Sequence, residues 1–117
     1  MEKMKPRFDV MLLPEAEEFI FSLDIKVQKK ITYNITKATY ITDNELLKKL
    51  EGSDIWEFRT LYNGICYRLL AFWDNDAKSL IVATHGFIKK TDKTPKNEIE
   101  RAESIRKQYF NDKKDNK

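Results

Sequence analysis

Three consecutive strand-like runs carry two arginines and a histidine: Arg59, Arg68 and His85, followed by Lys89, Lys90 and Lys93. A guanidinium presents five donors in a rigid fork and keeps its proton at working pH, so two converging arginines make a clamp for a phosphate. His85 is the only histidine, and histidine is the usual group for moving protons near neutrality. Lysines just past a strand end, beside Gly86, can meet an anionic backbone as point charges. Tyr67, Tyr62, Phe87 and Tyr109 are aromatics near these cations, and exposed rings stack on unpaired bases. Each residue also has a plainer use. The arginines can pair with an acid such as Glu57, the histidine can be structural, the lysines can belong to a solvated loop, and the rings can be core.

For these groups to act together, the runs must be neighbours in a sheet. Asp54 to Leu61 alternates, with Trp56 and Phe58 against Glu57 and Arg59, so Arg59 lies on the face opposite the two rings. Asn63-Gly64 is a hairpin turn signal. Gly64 to Trp73 is the second run, Asp74-Asn75-Asp76 a polar turn, and Ser79 to Phe87 the third run. Three sequential strands with short turns give an antiparallel meander.

Before the meander, Arg7 to Leu13 reads as a strand with Phe8, Val10 and Leu12 on one face. Pro14 then opens a helix with an acidic first turn and the stripe Ala16, Phe19, Ile20 and Leu23. Asp24 caps a second helix through Ile31, Ile35 and Ala38. Asn44 to Leu50 reads as a short helical segment closed by Gly52. After the meander, Thr94 as cap and Pro95 at the first position start a C-terminal helix through Ile99, Ala102, Ile105 and Tyr109. Residues 111–117 read as a polar, frayed tail. The order is β-α-α-(short α)-β-β-β-α. The class is α+β: an N-terminal strand and helices, segregated on one side, packed on a mostly antiparallel sheet with a C-terminal helix.

The chain has 117 residues, the size of one domain. Its formal charge of +3 is a weak excess. Acids and bases balance over residues 1–51, and the excess peaks between His85 and Lys96, where Lys89, Lys90, Lys93 and Lys96 face only Asp92. One cysteine excludes an intrachain disulfide and, with one histidine, argues against a zinc site. Cys66, inside an apolar run, reads as a buried structural thiol. No apolar run is long enough to span a membrane and none resembles a signal peptide, so a cytoplasmic location is expected.

Four strings occur in order: Asp54-Ile-Trp-Glu-Phe-Arg59, Tyr67-Arg68, His85-Gly-Phe-Ile-Lys-Lys-Thr91, and Thr94-Pro-Lys-Asn-Glu-Ile-Glu-Arg-Ala102. Together they resemble the RelE/ParE toxin superfamily, and most closely its HigB-like, phage-derived branch of type II toxin–antitoxin toxins. The resemblance covers residues 50–110 in motif and the whole chain in element order. It implies a RelE-like, microbial-ribonuclease-like fold, with a toxin domain over residues 1–110.

It also implies an endoribonuclease (mRNA interferase) that cuts messenger RNA on the ribosome, needs no metal or other cofactor, and inhibits translation. The RNA's own ribose 2′-hydroxyl attacks, leaving a cyclic phosphate and a 5′-hydroxyl. The implied partners are a cognate antitoxin, usually a helix-turn-helix protein, together with ribosome and mRNA, and no membrane. In that frame Arg59 and Arg68 hold the phosphate and His85 or Lys89 moves protons. Lys90, Tyr67 and Lys93 meet the substrate. Relatives of the best-studied type carry lysines where this chain has Ile55 and Glu57, so the base stays open among His85, a lysine and Glu57. Two alternatives share the scaffold: a ParE-like toxin that poisons gyrase without an RNase centre, and a non-catalytic RNA-binding relative.

Overall fold

The computed structural model describes residues 4–77 and 79–115. The elements are β1 (Asp9–Leu12), α1 (Pro14–Phe21), α2 (Ile25–Tyr40), β2 (Leu47–Lys49), β3 (Trp56–Tyr62), β4 (Ile65–Trp73), β5 (Leu80–Lys89) and α3 (Lys96–Asp115). The five strands form one sheet in the order β1-β5-β4-β3-β2. β1 runs parallel to β5 and every other pairing is antiparallel. This is the expected α+β class with its central three-strand meander.

Local signals explain much of it. Pro14 opens α1, and the Asp24 carboxylate accepts from the Lys26 amide at the start of α2, satisfying one of the orphan donors of a helix end. Asn63 and Gly64 both take positive φ, 49° and 77°, which turns the chain between β3 and β4 with the twist a two-residue hairpin needs.

The two faces of the sheet carry separate cores. Phe58, Tyr67, Leu69, Ala71, Ile81 and Ala83 join Ala16, Ile20, Val27, Ile31 and Ala38 under α1 and α2. Ile55, Leu70, Phe72 and Val82 join Ala102, Ile99, Tyr109 and Phe110 of α3. The expectation that all helices lie on one side is therefore corrected: α3 packs on the opposite face. Gly86 belongs to the first face, where a Cβ would stand 2.2 Å from the Phe19 ring. Only glycine lets α1 approach the strand this closely.

Two further corrections follow from the same packing. The expected helix over Asn44–Leu50 is a single turn followed by β2. The Asp43 carbonyl accepts from the Leu46 and Leu47 amides, and then Leu47, Lys48 and Lys49 pair with Phe58, Glu57 and Trp56. A leucine-rich run this short satisfies either period, and pairing with β3 decides it. Gly52, at φ 72°, turns the β2–β3 connection rather than ending a helix.

The tail was expected to fray from residue 111, yet α3 continues to Asp115. Lys113 reaches Asp74 at 2.8 Å and holds the last turns down; residues 116 and 117 lie outside the described part. Beside Lys113, Asp74 accepts from the Tyr109 hydroxyl and from the amides of Asp76 and Ala77. Burial alone would raise its pKa. The donors outweigh burial and bring the carboxyl down to about 2, while the Tyr109 hydroxyl, buried and bonded to that carboxylate, is pushed up to about 12.

Candidate functional site

Arg59 and Arg68 are direct cross-strand partners on β3 and β4. Both side chains leave the α3 face, near its open end. Between them lies Glu57, two residues along β3 and 2% exposed. Its Oε1 stands 3.1 Å from Arg68 Nε and 3.6 Å from Arg59 Nε. Neither Nε–H makes an in-line hydrogen bond, so the attraction is one of charge, in a setting with little water to screen it. Glu57 Oε2 accepts from the Thr94 hydroxyl. That contact displaces the expected helix cap: Thr94 binds the sheet instead of the first turn of α3.

The two arginines differ in access. Arg68 is 5% exposed and donates from Nη1 to its neighbour's carbonyl, Tyr67 O, at 3.2 Å. Arg59 is half-buried and donates to Asn44 O at 3.2 Å. It lines two cavities, one of about 280 Å³ with Glu45, Thr60, Leu61, Cys66 and Arg68, the other of about 410 Å³. The larger cavity gathers Lys48, Lys89 and Lys93 around Arg59, with Glu51, Glu57 and Asp92 as the acids. No aromatic ring lines either cavity. Lys89 extends this surface because it pairs with Cys66 at the end of β5.

The remaining expectations fall differently. Lys93 lines the larger cavity, whereas Lys90 is exposed and lines neither. Tyr67 was expected to meet substrate; strand alternation turns it to the other face, where it is 7% exposed and packs in the core beneath the N-terminal helices. Cys66 is not a buried thiol: it is partly exposed and lines the smaller cavity.

His85 was expected to move protons at the site, and its placement corrects that. A bulge at Thr84 shifts the register between Leu70/His85 and Ala71/Ala83. The shift turns His85 toward α3, where it is 1% exposed. Nε2 faces Glu98 Oε1 at 3.1 Å and Nδ1 faces the Thr84 hydroxyl at 3.0 Å. Burial drives its pKa below 6.5 and Arg101 adds to the effect, against the opposing pull of Glu98 and Glu15. Both ring nitrogens have a partner, Glu98 at Nε2 and the Thr84 hydroxyl at Nδ1, and that hydroxyl also donates to Leu70 O. It fastens α3 to β5 and does not open into either cavity.

Sequence reasoning missed Lys48, because the helix expected there hid it. As β2, the same residues put Lys48 opposite Glu57, on the cavity-lined face. The adjacent pair Lys48-Lys49 after a leucine was the available signal. Among the described residues, no three His, Cys, Asp or Glu side chains gather as a ligand set for a metal. No described helix is long and apolar enough to cross a membrane.

The chain is a small α+β protein with a cross-strand arginine pair beside two cavities lined by charges of both signs. Residues 18–107 match the family described as Phage derived protein Gp49-like, and the chain belongs to that family. No curated protein sequence matches it. Its fold is similar to that of a chain in the RelBE2 toxin–antitoxin complex from Mycobacterium tuberculosis (TM-score 0.55, 16% identity, 76% of this chain and 98% of that chain). It is also similar to a chain of the intact RelBE toxin–antitoxin complex of E. coli (TM-score 0.51, 13% identity, 74% and 99%). The RelE-like fold expected from the four strings is the fold the chain adopts.

Proposed function

We propose that this protein is the toxin of a type II toxin–antitoxin pair, acting in the cytoplasm as an endoribonuclease on messenger RNA at the ribosome. The observation that carries the reading is the cross-strand Arg59–Arg68 pair opening onto a groove lined by Lys48, Lys89 and Lys93. The fold shared with chains of two toxin–antitoxin complexes supports it, and makes an antitoxin the expected partner.

The scissile phosphate sits against Arg59, with Arg68 behind it. The ribose 2′-oxygen bonds to phosphorus as the bond to the 5′-oxygen breaks, leaving a cyclic phosphate and a 5′-hydroxyl. Fixed cations aimed at the charge growing on phosphorus are the larger contribution. Lys89, an ammonium at the groove, protonates the departing 5′-oxygen, and the 2′-hydroxyl proton passes to one of the carboxylates lining the cavities, Glu45, Glu51 or Asp92. Proton transfer of this kind contributes about 10²- to 10⁴-fold. Lys48 and Lys93 hold flanking phosphates, and Lys90 adds charge outside the groove.

The burial of His85 and Arg68 favours one second reading, a non-catalytic RNA-binding relative. End-group analysis of RNA from translating ribosomes separates the two. Cleavage with a cyclic phosphate end, strongly reduced in Arg59→Ala, supports the nuclease. Salt-dependent RNA binding with intact RNA supports the binder. Trapped gyrase–DNA complexes with intact messenger RNA would move the protein to the ParE-like class.

A further inference from the structure

Glu57 is the buried acid on which the site converges, and phosphate binding alone gives no reason for it. A carboxylate beside a phosphate clamp opposes the anion it is meant to hold, so its presence between two arginines needs an account. Left without a partner, two cross-strand guanidiniums would repel each other and splay toward water. Glu57 Oε1 faces both Nε atoms, at 3.1 and 3.6 Å, and its Oε2 is fixed by the Thr94 hydroxyl. One acid and two arginines leave a net charge of one positive unit, turned toward the groove. Thr94 stands just ahead of α3, so the orientation of the carboxylate depends on the segment leading into that helix.

We propose that Glu57 is a positioning residue that holds Arg59 and Arg68 in one geometry, and that Thr94 locks this setting to the lead-in of α3. The proposal rests on the reading of the arginine pair as the phosphate site. Glu57 does not take a proton from the substrate; it acts through the arginines. Its effect therefore shrinks when Arg59 is absent, to the part exerted through Arg68.

The test is a double-mutant cycle on the full chain with Glu57→Gln, Thr94→Val, Thr94→Ser and Arg59→Ala. It is read by cleavage kinetics, by RNA binding, and by the NMR signals of the arginine Nε–H groups, which report geometry whether or not the protein cleaves. Glu57→Gln is expected to lower kcat by about 10- to 100-fold, the range for losing a group that orients a functional side chain. KM should change little and the pH profile should keep its shape. Thr94→Val should act in the same direction more weakly, and Thr94→Ser should restore the wild-type rate. On an Arg59→Ala background, Glu57→Gln should cost clearly less than in the wild type, only the part that passes through Arg68. Both Nε–H signals should move toward those of free arginine in Glu57→Gln, and in part in Thr94→Val.

Additive losses, or a pH limb that vanishes with Glu57→Gln, overturn the proposal and make Glu57 the base. Unmoved Nε–H signals in Thr94→Val, with wild-type activity, overturn the coupling to α3 even if Glu57→Gln fails to fold. A wild-type chain that never cleaves RNA sinks the nuclease reading alone, because the Nε–H signals still decide whether Glu57 sets the pair.

Discussion

Arg59 and Arg68 occupy directly opposed positions on two antiparallel strands, yet one is half-buried at the meeting of two cavities and the other is almost sealed. Register makes them neighbours. The packing around them leaves only Arg59 partly open to water.

That asymmetry predicts different phenotypes. Arg59→Ala should weaken RNA binding and cleavage while leaving folding stability nearly intact, because Glu57 keeps Arg68. Arg68→Ala should destabilise the fold by about 3 kcal/mol, since removing the closer partner leaves a buried carboxylate poorly compensated. Urea unfolding beside RNA binding checks the pair. Equal stability losses for both would contradict the placement.

The lysines around the larger cavity should act through the phosphate backbone. Lys48→Ala, Lys89→Ala and Lys93→Ala are each expected to reduce the slope of log affinity against log salt by roughly 0.7 for a single strand. Lys90→Ala should reduce it less, since Lys90 lines neither cavity. With no ring in either cavity, affinity should vary little between homopolymers of different base. Binding isotherms at several salt concentrations measure both.

His85 should matter for stability and not for chemistry. Its folded-state pKa lies below 6.5. Below that pH the unfolded chain takes a proton that the folded chain declines. The contribution is therefore present above pH 6.5 and is lost as pH falls toward the lower folded value. Unfolding free energies from pH 8 down to about pH 5 should fall in the wild type and lose that slope in His85→Gln. Cleavage by His85→Gln should stay within about threefold of wild type, far from the loss expected for a catalytic acid or base. A hundredfold loss without unfolding would return His85 to the reaction.

Asp74 anchors the C-terminal half of α3. The carboxyl is 3% exposed and its pKa is drawn from 3.8 to about 2. A depressed carboxylate stabilises above its unfolded pKa and loses that stability as pH falls through the folded value, so the window lies between about pH 4 and pH 2. Asp74→Asn should cost about 2 kcal/mol at neutral pH and remove that acid slope. Hydrogen exchange should rise first in the last turns of α3. Unchanged exchange at Tyr109 and Lys113 would show that the helix is held by its apolar face alone.

Local chemistry determined a good deal of this protein from the sequence by itself. Pro14, the Asp24 cap, the Asn63-Gly64 turn and the period of the central runs fix the two N-terminal helices and the meander, because each acts over a few residues. Alternation from Trp56 also placed Arg59 away from the rings, and the hairpin brought Arg68 opposite it.

The remaining features were set by contacts between residues distant in sequence. Leu47–Lys49 became a strand because β3 offered it partners, and this brought Lys48 to the groove. The Thr84 bulge reversed the phase of β5 and turned His85 under α3, a shift no periodicity announces. Thr94 gave up capping its helix to bind Glu57, 37 residues away in sequence. Burial, which seals Arg68 and leaves Arg59 partly open, belongs to the packed whole, because a side chain's access to water is set by every element that crosses it.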